Sequence, residues 1–263
     1  MEGAPRPVRG RPGRRWCPVT ATVPDLWECH AVIFDTDGVI TDSASVHASA
    51  WKEAFDEVPG VDPPFDADED YRRHVDGRSR LDGAAAFLAA RGIDLPVGDV
   101  EDTPGTETVC QVAARKEEAF LRRLHERGVD VFAGTVRLLN KLHEAGVPCA
   151  AVSSSRHARD LLARAGVRSL LGTVVDGNDM ARLDLPGKPD PALFLEGVRR
   201  LGCEPSSAAV VEDALAGVEA GSRGGFGLVV GVNRAETEDA AHDLSEHGAD
   251  LVVDDLARLV VRR

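Results

Sequence analysis

The hydrophobic pattern of the chain changes character at Cys29, where a short apolar run begins. The segment CHAVIF (29–34) favours a β-strand and stops abruptly at DTDGVITD, which is typical of a strand buried in a parallel sheet. In the next segment, SASVHASAWKEAFDEV, apolar residues recur at helical spacing. Residues 59–127 carry only helical signals, including LDGAAAFLAARG and ETVCQVAARKEEAFLRRLHERG, and both segments end at a glycine. The pattern predicts a block of helices directly after one strand.

Strand and helix patterns alternate after Gly128. Predicted strands lie in PCAAVSSS, GTVVDG, AAVVED and GLVVGVN, predicted helices lie in TVRLLNKLHEAG, RHARDLLARAG, PDPALFLEGVRRLG and ALAGVEAGSRGG, and ADLVVDDLARLV follows. Such alternation is typical of βα units in a parallel sheet with helices on both faces, and the first strand is expected to join that sheet. We therefore predict an α/β fold: a doubly wound parallel-sheet core (residues 28–43 and 128–263) with an inserted all-helical cap (44–127).

The N-terminal segment has a different composition. Five arginines against a single acid, with proline and glycine throughout, mark the segment MEGAPRPVRGRPGRRWCPVTATVP. Such a segment buries little apolar surface, so we expect a disordered basic extension over residues 1–27. It could bind an acidic partner, but a floppy extension is the favoured interpretation. PVTATVP is too short and too polar for the apolar part of a secretory signal.

Charge and cysteine content exclude several classes of function. The net charge is −13, from 44 acidic and 31 basic residues, which argues against nucleic-acid and anionic-membrane partners. No apolar run approaches the ~20 residues that span a bilayer. The five cysteines are scattered and odd in number, which disfavours a disulfide framework or a zinc site and fits a reducing cytoplasm. We expect a monomer or a weak dimer.

Two carboxylates follow the first predicted strand, in Asp35-Thr36-Asp37-Gly38. Residues two apart in an extended segment point to the same side, so one carboxylate could act as a nucleophile while the other handles protons. Gly38 permits a tight turn. Taken alone, the motif is equally compatible with a surface turn or a fragment of a calcium loop.

Three further polar clusters follow later strands. Ser153, Ser154 and Ser155 could bind phosphate oxygens, although an ordinary helix N-cap is the favoured reading of that feature alone. Lys188 is one of only four lysines and lies in GKPDP. Glu212 and Asp213 end an apolar strand, and buried acids of this kind need a partner such as Mg²⁺. Ligands of open α/β sheets collect at these strand ends.

Together the four clusters, in this order, resemble the haloacid dehalogenase (HAD) superfamily of aspartyl phosphotransferases from about Cys29 to Asn233. The resemblance implies that Asp35 attacks phosphorus and that Asp37 serves as general acid and base. It implies that Ser153 and Lys188 hold the transferring phosphoryl group. It also implies an Mg²⁺ ion between Asp35, the Asp37 carbonyl and Asp213, with Glu212 in support. A metal and a lysine would offset the negative charge of the group in transfer.

Within this superfamily the chain resembles the β-phosphoglucomutase-like subgroup. FDTDGVITDSASVHASAWK resembles the opening stretch of that subgroup, and it includes His47, Trp51 and Lys52. DGRSRLDG resembles the cap loop with the Gly77 turn and the arginine for a distal phosphate, here Arg80, and Lys116 matches a second cap cation. The resemblance implies that His47 helps to position Asp37 as the cap shuts.

The chain departs from the subgroup pattern at a few positions. Asp76 stands where the subgroup tends to carry a lysine, Thr36 replaces the usual leucine, and Arg156-His157 replace a common Lys-Asn pair. These changes bear on the choice of sugar more than on the chemistry.

Three functions follow from the resemblance as alternatives. A mutase that converts β-glucose 1-phosphate to glucose 6-phosphate through the 1,6-bisphosphate must bind phosphate at both ends of a small sugar. Arg80 and Lys116 in the cap, with the serines and Lys188 in the core, meet that need, so the mutase is favoured. A sugar-phosphate phosphatase needs only the core set. A non-catalytic binding module is disfavoured because Asp35, Asp37, Lys188 and Asp213 are all present.

Overall fold

A computed structural model describes residues 25–261 as a parallel β-sheet core with a helical cap. The six strands are all parallel, in the order β3-β2-β1-β4-β5-β6. Their bounds are β1 Ala31–Asp35, β2 Cys149–Val152, β3 Thr173–Val175, β4 Ala208–Glu212, β5 Leu228–Val232 and β6 Leu251–Val253. The predicted fold class, a doubly wound sheet with an inserted cap, is confirmed.

Core helices cover both faces of the sheet. Successive residues of β1 point to opposite faces: Val32 and Phe34 pack into one apolar cluster, and Ile33 packs into the other. Both faces are buried, which explains the unbroken apolar strands in the sequence. The core helices are α4 Ala133–Glu144, α5 Ala158–Arg164, α6 Gly177–Leu183, α7 Ala192–Leu201, α8 Leu215–Arg223 and α9 Glu238–Glu246.

Two of these helices have no counterpart among the sequence predictions. Helix α6 has only seven residues and begins with a capping box, in which Asp176 and Asp179 satisfy each other's backbone N–H groups. Helix α9 begins at the N-cap Thr237, and its only buried side chain is that of Leu244. Neither segment presents a long apolar stripe, so the hydrophobic pattern gave little signal for either.

The cap consists of α1 Ala44–Phe55, a π-helical turn Tyr71–Val75, α2 Arg80–Ala90 and α3 Val109–Arg127. Its own core is aromatic: Phe55 lies 4.2 Å from Phe87 between ring centroids and 5.1 Å from Phe65. Ser154 Oγ donates to the carbonyl of Gly77 at 3.1 Å, and Arg72 pairs with Asp243 at 2.5 Å. Both contacts join the cap to the core.

A disordered extension was predicted over residues 1–27, of which residues 1–24 lie outside the described part of the chain. The remaining three, Asp25 to Trp27, are folded onto the core, and this corrects the C-terminal boundary of the predicted extension. Leu26–Glu28 form a 3₁₀ turn that begins at the N-cap Asp25. Leu26 is buried in the core, and Trp27 Nε1 donates to the carbonyl of Leu259 at 2.9 Å. Burial of these two apolar side chains holds the segment in place.

None of the helices within residues 25–261 is long and apolar enough to cross a membrane.

Candidate active site

The turn after β1 contains Asp37 and Gly38 and packs against Asp213, which follows the end of β4. The backbone N–H groups of Ile40 and Thr41 both donate to the carbonyl of Thr36, at 2.9 Å each, which closes the turn. Gly38 has a φ of +83°, and a Cβ atom built there would lie 1.9 Å from Asp213 Oδ2. Both the backbone conformation and the space therefore require glycine at this position.

Lys188 bridges the buried carboxylates of two strands. Its Nζ donates to Asp35 Oδ1 at 2.5 Å and to Glu212 Oε2 at 2.7 Å, and its side chain has no exposed surface. Burial opposes its charge, but the two carboxylates raise the pKa of Lys188 above its usual range. Burial and the Glu212 charge raise the pKa of Asp35 well above normal, against the effect of Lys188.

Three carboxylates at this edge fit a divalent cation. Asp35, Glu212 and Asp213 each offer an oxygen, and these oxygens all lie within 4.8 Å of one another. Asp213 Oδ1 is buried and has no hydrogen-bond partner among the described residues. Burial raises the pKa of Asp213 well above normal, and the charges of Asp76 and Glu212 raise it further. An orphaned carboxylate oxygen in an all-oxygen donor set is what a hard cation such as Mg²⁺ would satisfy.

Asp37 has hydrogen-bond donors at both carboxylate oxygens. Ser43 Oγ donates to its Oδ1 at 2.6 Å, and Ser153 Oγ donates to its Oδ2 at 2.8 Å. His47 Nε2 lies 3.3 Å from Oδ1. Burial opposes the shift, but these neighbours hold the pKa of Asp37 well below its usual range. Ser43 is a site residue that the sequence analysis missed. Ser153, which was predicted to hold the transferring phosphoryl group, is fully buried, donates to Asp37 and does not line the cavity.

A cap lysine fixes the orientation of His47. Lys116 Nζ donates to His47 Nδ1 at 2.9 Å, and the imidazole stacks on Phe120 with centroids 4.2 Å apart. Burial and then the Lys116 charge lower the pKa of His47, and burial lowers the pKa of Lys116 to about 8. Because Nδ1 accepts from an ammonium group, the ring proton lies on Nε2, toward Asp37. Lys116 is thus primarily a partner of His47.

A cavity of about 710 Å³ separates the cap from the core above Asp35 and Asp37. Its lining includes Trp51, Ser154 and Ser155, all of which the sequence predicted. Its cationic lining residues are Arg78, Arg80, Lys116, Arg156 and Lys188. The side chains of Arg78, Arg80 and Arg156 make no hydrogen bond to any other residue in 25–261, so their donors are available to an anionic ligand. Arg78 has no counterpart among the predicted site residues.

The Gly77 turn carries the cap close to the end of β4. Gly77 has a φ of +70°, and a Cβ built there would lie 2.9 Å from Ala214 Cβ. Its neighbour Asp76 lines the cavity and also a second one of about 910 Å³, which Asp213 lines too. Burial and the charge of Glu212 raise the pKa of Asp76 to about 7. The aspartate at position 76 therefore adds a further acid beside Glu212 and Asp213.

Lys52 is not brought to the site, which corrects the prediction made for it. Its Nζ donates to the carbonyl of Phe65 at 2.9 Å and pairs with Asp56 at 2.9 Å. His47 and Trp51 are four positions apart on α1 and share the face toward the cavity. Lys52 is one position further along, which turns its side chain away from that face.

Comparison with known proteins matches almost all of this architecture. Residues 29–225 match the family model described as haloacid dehalogenase-like hydrolase. A protein named β-phosphoglucomutase from Mycobacterium bovis is 43% identical over 238 residues, which are 88% of this chain and 91% of that protein. One of the same name from Bacillus subtilis is 32% identical and covers 85% of this chain and 88% of its own length. The crystal structure of β-phosphoglucomutase from Clostridium difficile has a TM-score of 0.68 at 24% identity, covering 88% of this chain and 93% of that one.

Proposed function

The chain belongs to the haloacid dehalogenase-like hydrolase family, and from that premise we propose that it isomerises β-glucose 1-phosphate to glucose 6-phosphate through an aspartyl phosphate on Asp35. It is an enzyme of the phosphotransferase or phosphatase type. The observation that carries the isomerase proposal is that one cavity is lined both by arginines of the cap and by cations of the core. A bisphosphate needs cations for both of its phosphate groups, whereas a monoester needs them for one.

In the first half-reaction the phosphorylated enzyme donates its phosphoryl group to the sugar. The 6-hydroxyl oxygen attacks phosphorus, the bond from phosphorus to Asp35 breaks, and Asp37 takes the hydroxyl proton. The low pKa of Asp37 keeps its carboxylate ionised and able to accept a proton. The hydrogen bonds from Ser43 and Ser153 fix its direction.

The second half-reaction uses the same residues in the opposite sense. The bisphosphate turns so that its 1-phosphate faces Asp35, whose carboxylate oxygen attacks phosphorus. The bond from phosphorus to the sugar oxygen breaks, and Asp37 returns its proton to that oxygen. Lys188, held by Asp35 and Glu212, supplies a fixed positive charge beside the reacting phosphoryl group.

We propose that Asp35, Asp213 and the Asp37 carbonyl hold Mg²⁺, with Glu212 in support. The orphaned Asp213 oxygen and the spacing of the carboxylates support this assignment. When bound, Mg²⁺ offsets the charge of the phosphoryl oxygens. We further propose that the enzyme works as a monomer or weak dimer. We also propose that it works in the cytoplasm, which the four free, scattered cysteines within the described residues support.

The test supplies β-glucose 1-phosphate, Mg²⁺ and a trace of glucose 1,6-bisphosphate, and follows glucose 6-phosphate and inorganic phosphate together. The proposal expects glucose 6-phosphate to accumulate with little free phosphate. Accumulation of phosphate with free glucose would instead identify a sugar-phosphate phosphatase, in which water replaces the sugar hydroxyl as acceptor. If neither product forms, the substrate assignment is refuted.

A matched pair of arginine variants tests the role of the cap. Arg80→Ala is expected to reduce isomerisation far more than hydrolysis of p-nitrophenyl phosphate, because only the sugar bisphosphate carries a second phosphate. Arg73→Ala removes a cap arginine that is exposed, pairs with Glu69 and does not line the cavity, so it should leave both rates unchanged. Equal losses in both assays for Arg80→Ala would contradict a phosphate-binding role for the cap.

A further inference from the structure

We propose that Glu117 is a built-in anion of the cap-side phosphate subsite, which the phosphate of an incoming substrate must displace. This inference rests on the proposed function for the identity of that subsite. Glu117 follows Lys116 on α3, and it lines the cavity. His157, at the N-cap of the core helix α5, donates from its Nε2 to the Glu117 carboxylate and so links the core to the cap. The other oxygen of that carboxylate lies 4.0 Å from Arg80 Nη1.

The surroundings of Glu117 are those of a bound anion. Burial opposes its ionisation, but the hydrogen bond to His157 and the charges of Lys116, His157 and Arg80 lower the pKa of Glu117 to about 2. Its two side-chain contacts come from different parts of the fold, since Arg80 belongs to the cap helix α2 and His157 to the N-cap of the core helix α5. A phosphate group placed there would meet the same two partners.

The contact between Glu117 and Arg80 is loose enough to be exchanged. A distance of 4.0 Å is beyond hydrogen-bond range, and the guanidinium group of Arg80 makes no hydrogen bond to another described residue. The side chain of Glu117 is 20% exposed, so solvent and ligand can reach it. A buried structural ion pair would have closer geometry and all of its donors satisfied.

A phosphate dianion can replace this carboxylate, whereas weakly charged anions cannot. Phosphate carries about twice the charge of a carboxylate and has oxygens for two parallel hydrogen bonds from one guanidinium. On binding, it would take over the contacts of Glu117 with Arg80 and His157 and so keep the cap linked to the core. Glu117 thereby lowers the affinity of the resting cavity for small anions and favours ligands with a doubly charged group.

The test measures sulfate binding by calorimetry in magnesium-free buffer containing EDTA. Without the cation, the acidic end of the cavity at Asp35 and Asp37 repels anions, so sulfate reports on the cap-side cations. Glu117→Gln is expected to bind sulfate about fivefold more tightly than the unmodified protein, the factor that corresponds to one charge pair of ~1 kcal/mol. Glu118→Gln, the exposed neighbour, and Glu117→Asp, which keeps the charge, should bind as the unmodified protein does.

Kinetics provide a second measurement. Glu117→Gln should lower KM for glucose 1,6-bisphosphate severalfold without a matching change in kcat, whereas Glu118→Gln, which does not line the cavity, should leave KM unchanged. Equal or weaker sulfate binding by Glu117→Gln, or no sulfate binding by any of the four proteins, overturns the proposal. A rise in KM for the bisphosphate would also overturn it, because it would mean that Glu117 supports the site. Tighter sulfate binding in a protein that isomerises no sugar phosphate would refute the proposed function and leave this inference intact.

Discussion

Replacing Asp76 with asparagine should stabilise the magnesium-free protein at alkaline pH. Asp76 is held by the Gly77 turn on the cap side of the acidic cluster, and it lines the second cavity together with Asp213. Burial and the charge of Glu212 raise its pKa to about 7. In the unfolded chain the same carboxyl has its ordinary pKa of 3.8. Between these two values the folded protein binds a proton that the unfolded chain does not, so stability falls as the pH rises through this window.

The size of the effect follows from the pKa difference. About three pH units at about 1.4 kcal/mol per unit give ~4 kcal/mol of lost stability at pH 8. Asp76 is only partly buried, and water in both cavities screens its charge, so we expect about half of that, ~2 kcal/mol. Asparagine has a similar shape and stays neutral, and therefore Asp76→Asn should recover this amount at pH 8 and less than ~1 kcal/mol at pH 5.

The assay is urea unfolding in EDTA at pH 5 and pH 8, followed by circular dichroism. Asp94→Asn is the control, because it removes an exposed cap carboxylate that lines neither cavity. The reasoning is refuted if the unmodified protein and Asp76→Asn lose stability in parallel between the two pH values. That result would mean that the charges of Glu212 and Asp213 do not raise the pKa of Asp76.

Further predictions concern the catalytic groups. Asp35→Asn should abolish turnover of p-nitrophenyl phosphate while circular dichroism stays unchanged; retained activity would exclude an aspartyl phosphate at this residue. Asp37→Asn should lower kcat by ~10²–10⁴, and Ser153→Ala should lower it less, because Ser153 only orients the proton carrier; the reverse order in steady-state assays would contradict this role. Lys188→Met should cost ~3–5 kcal/mol in urea unfolding, because two buried carboxylates lose their shared partner. Mg²⁺ binding should release protons and become tighter from pH 5.5 to 8, because Asp35 and Asp213 have raised pKa values. Calorimetry in buffers of different ionisation enthalpy tests this, and a binding enthalpy that does not depend on the buffer would contradict it.

The sheet and the edge that carries the candidate site were predictable because their signals are local. Each strand is an uninterrupted apolar run that ends at polar residues, and the ends of parallel strands share one edge of the sheet. Asp35 and Glu212 end neighbouring strands and could therefore be expected to lie together, and both accept a hydrogen bond from Lys188, which the chain reaches only after helix α6. The error at Lys52 was avoidable, since helical periodicity places it off the face that His47 and Trp51 share.

The cross-domain contacts were not predictable, because nothing local marks them. Glu117 and His157 are 40 positions apart, and their pairing depends on how the cap sits on the core. Ser43 looks like an ordinary turn residue until the fold brings its hydroxyl to Asp37. The sequence did show that Asp76 stands where the β-phosphoglucomutase-like subgroup tends to carry a lysine. The raised pKa of Asp76, however, depends on the packing of the Gly77 turn against the end of β4.

The two segments that connect the cap with the core, residues 40–42 and 130–132, lie side by side. Asp42 N–H donates to the carbonyl of Asp130 at 2.8 Å, and Phe132 N–H donates to the carbonyl of Ile40 at 3.1 Å, so the outgoing and returning segments form a short antiparallel ribbon. No sheet strand is interrupted by the insertion, since β1 is complete before the chain leaves. A different helical insertion could therefore be grafted at this ribbon without cutting a strand, but it would have to restore the contact that His47 of the cap makes with Asp37.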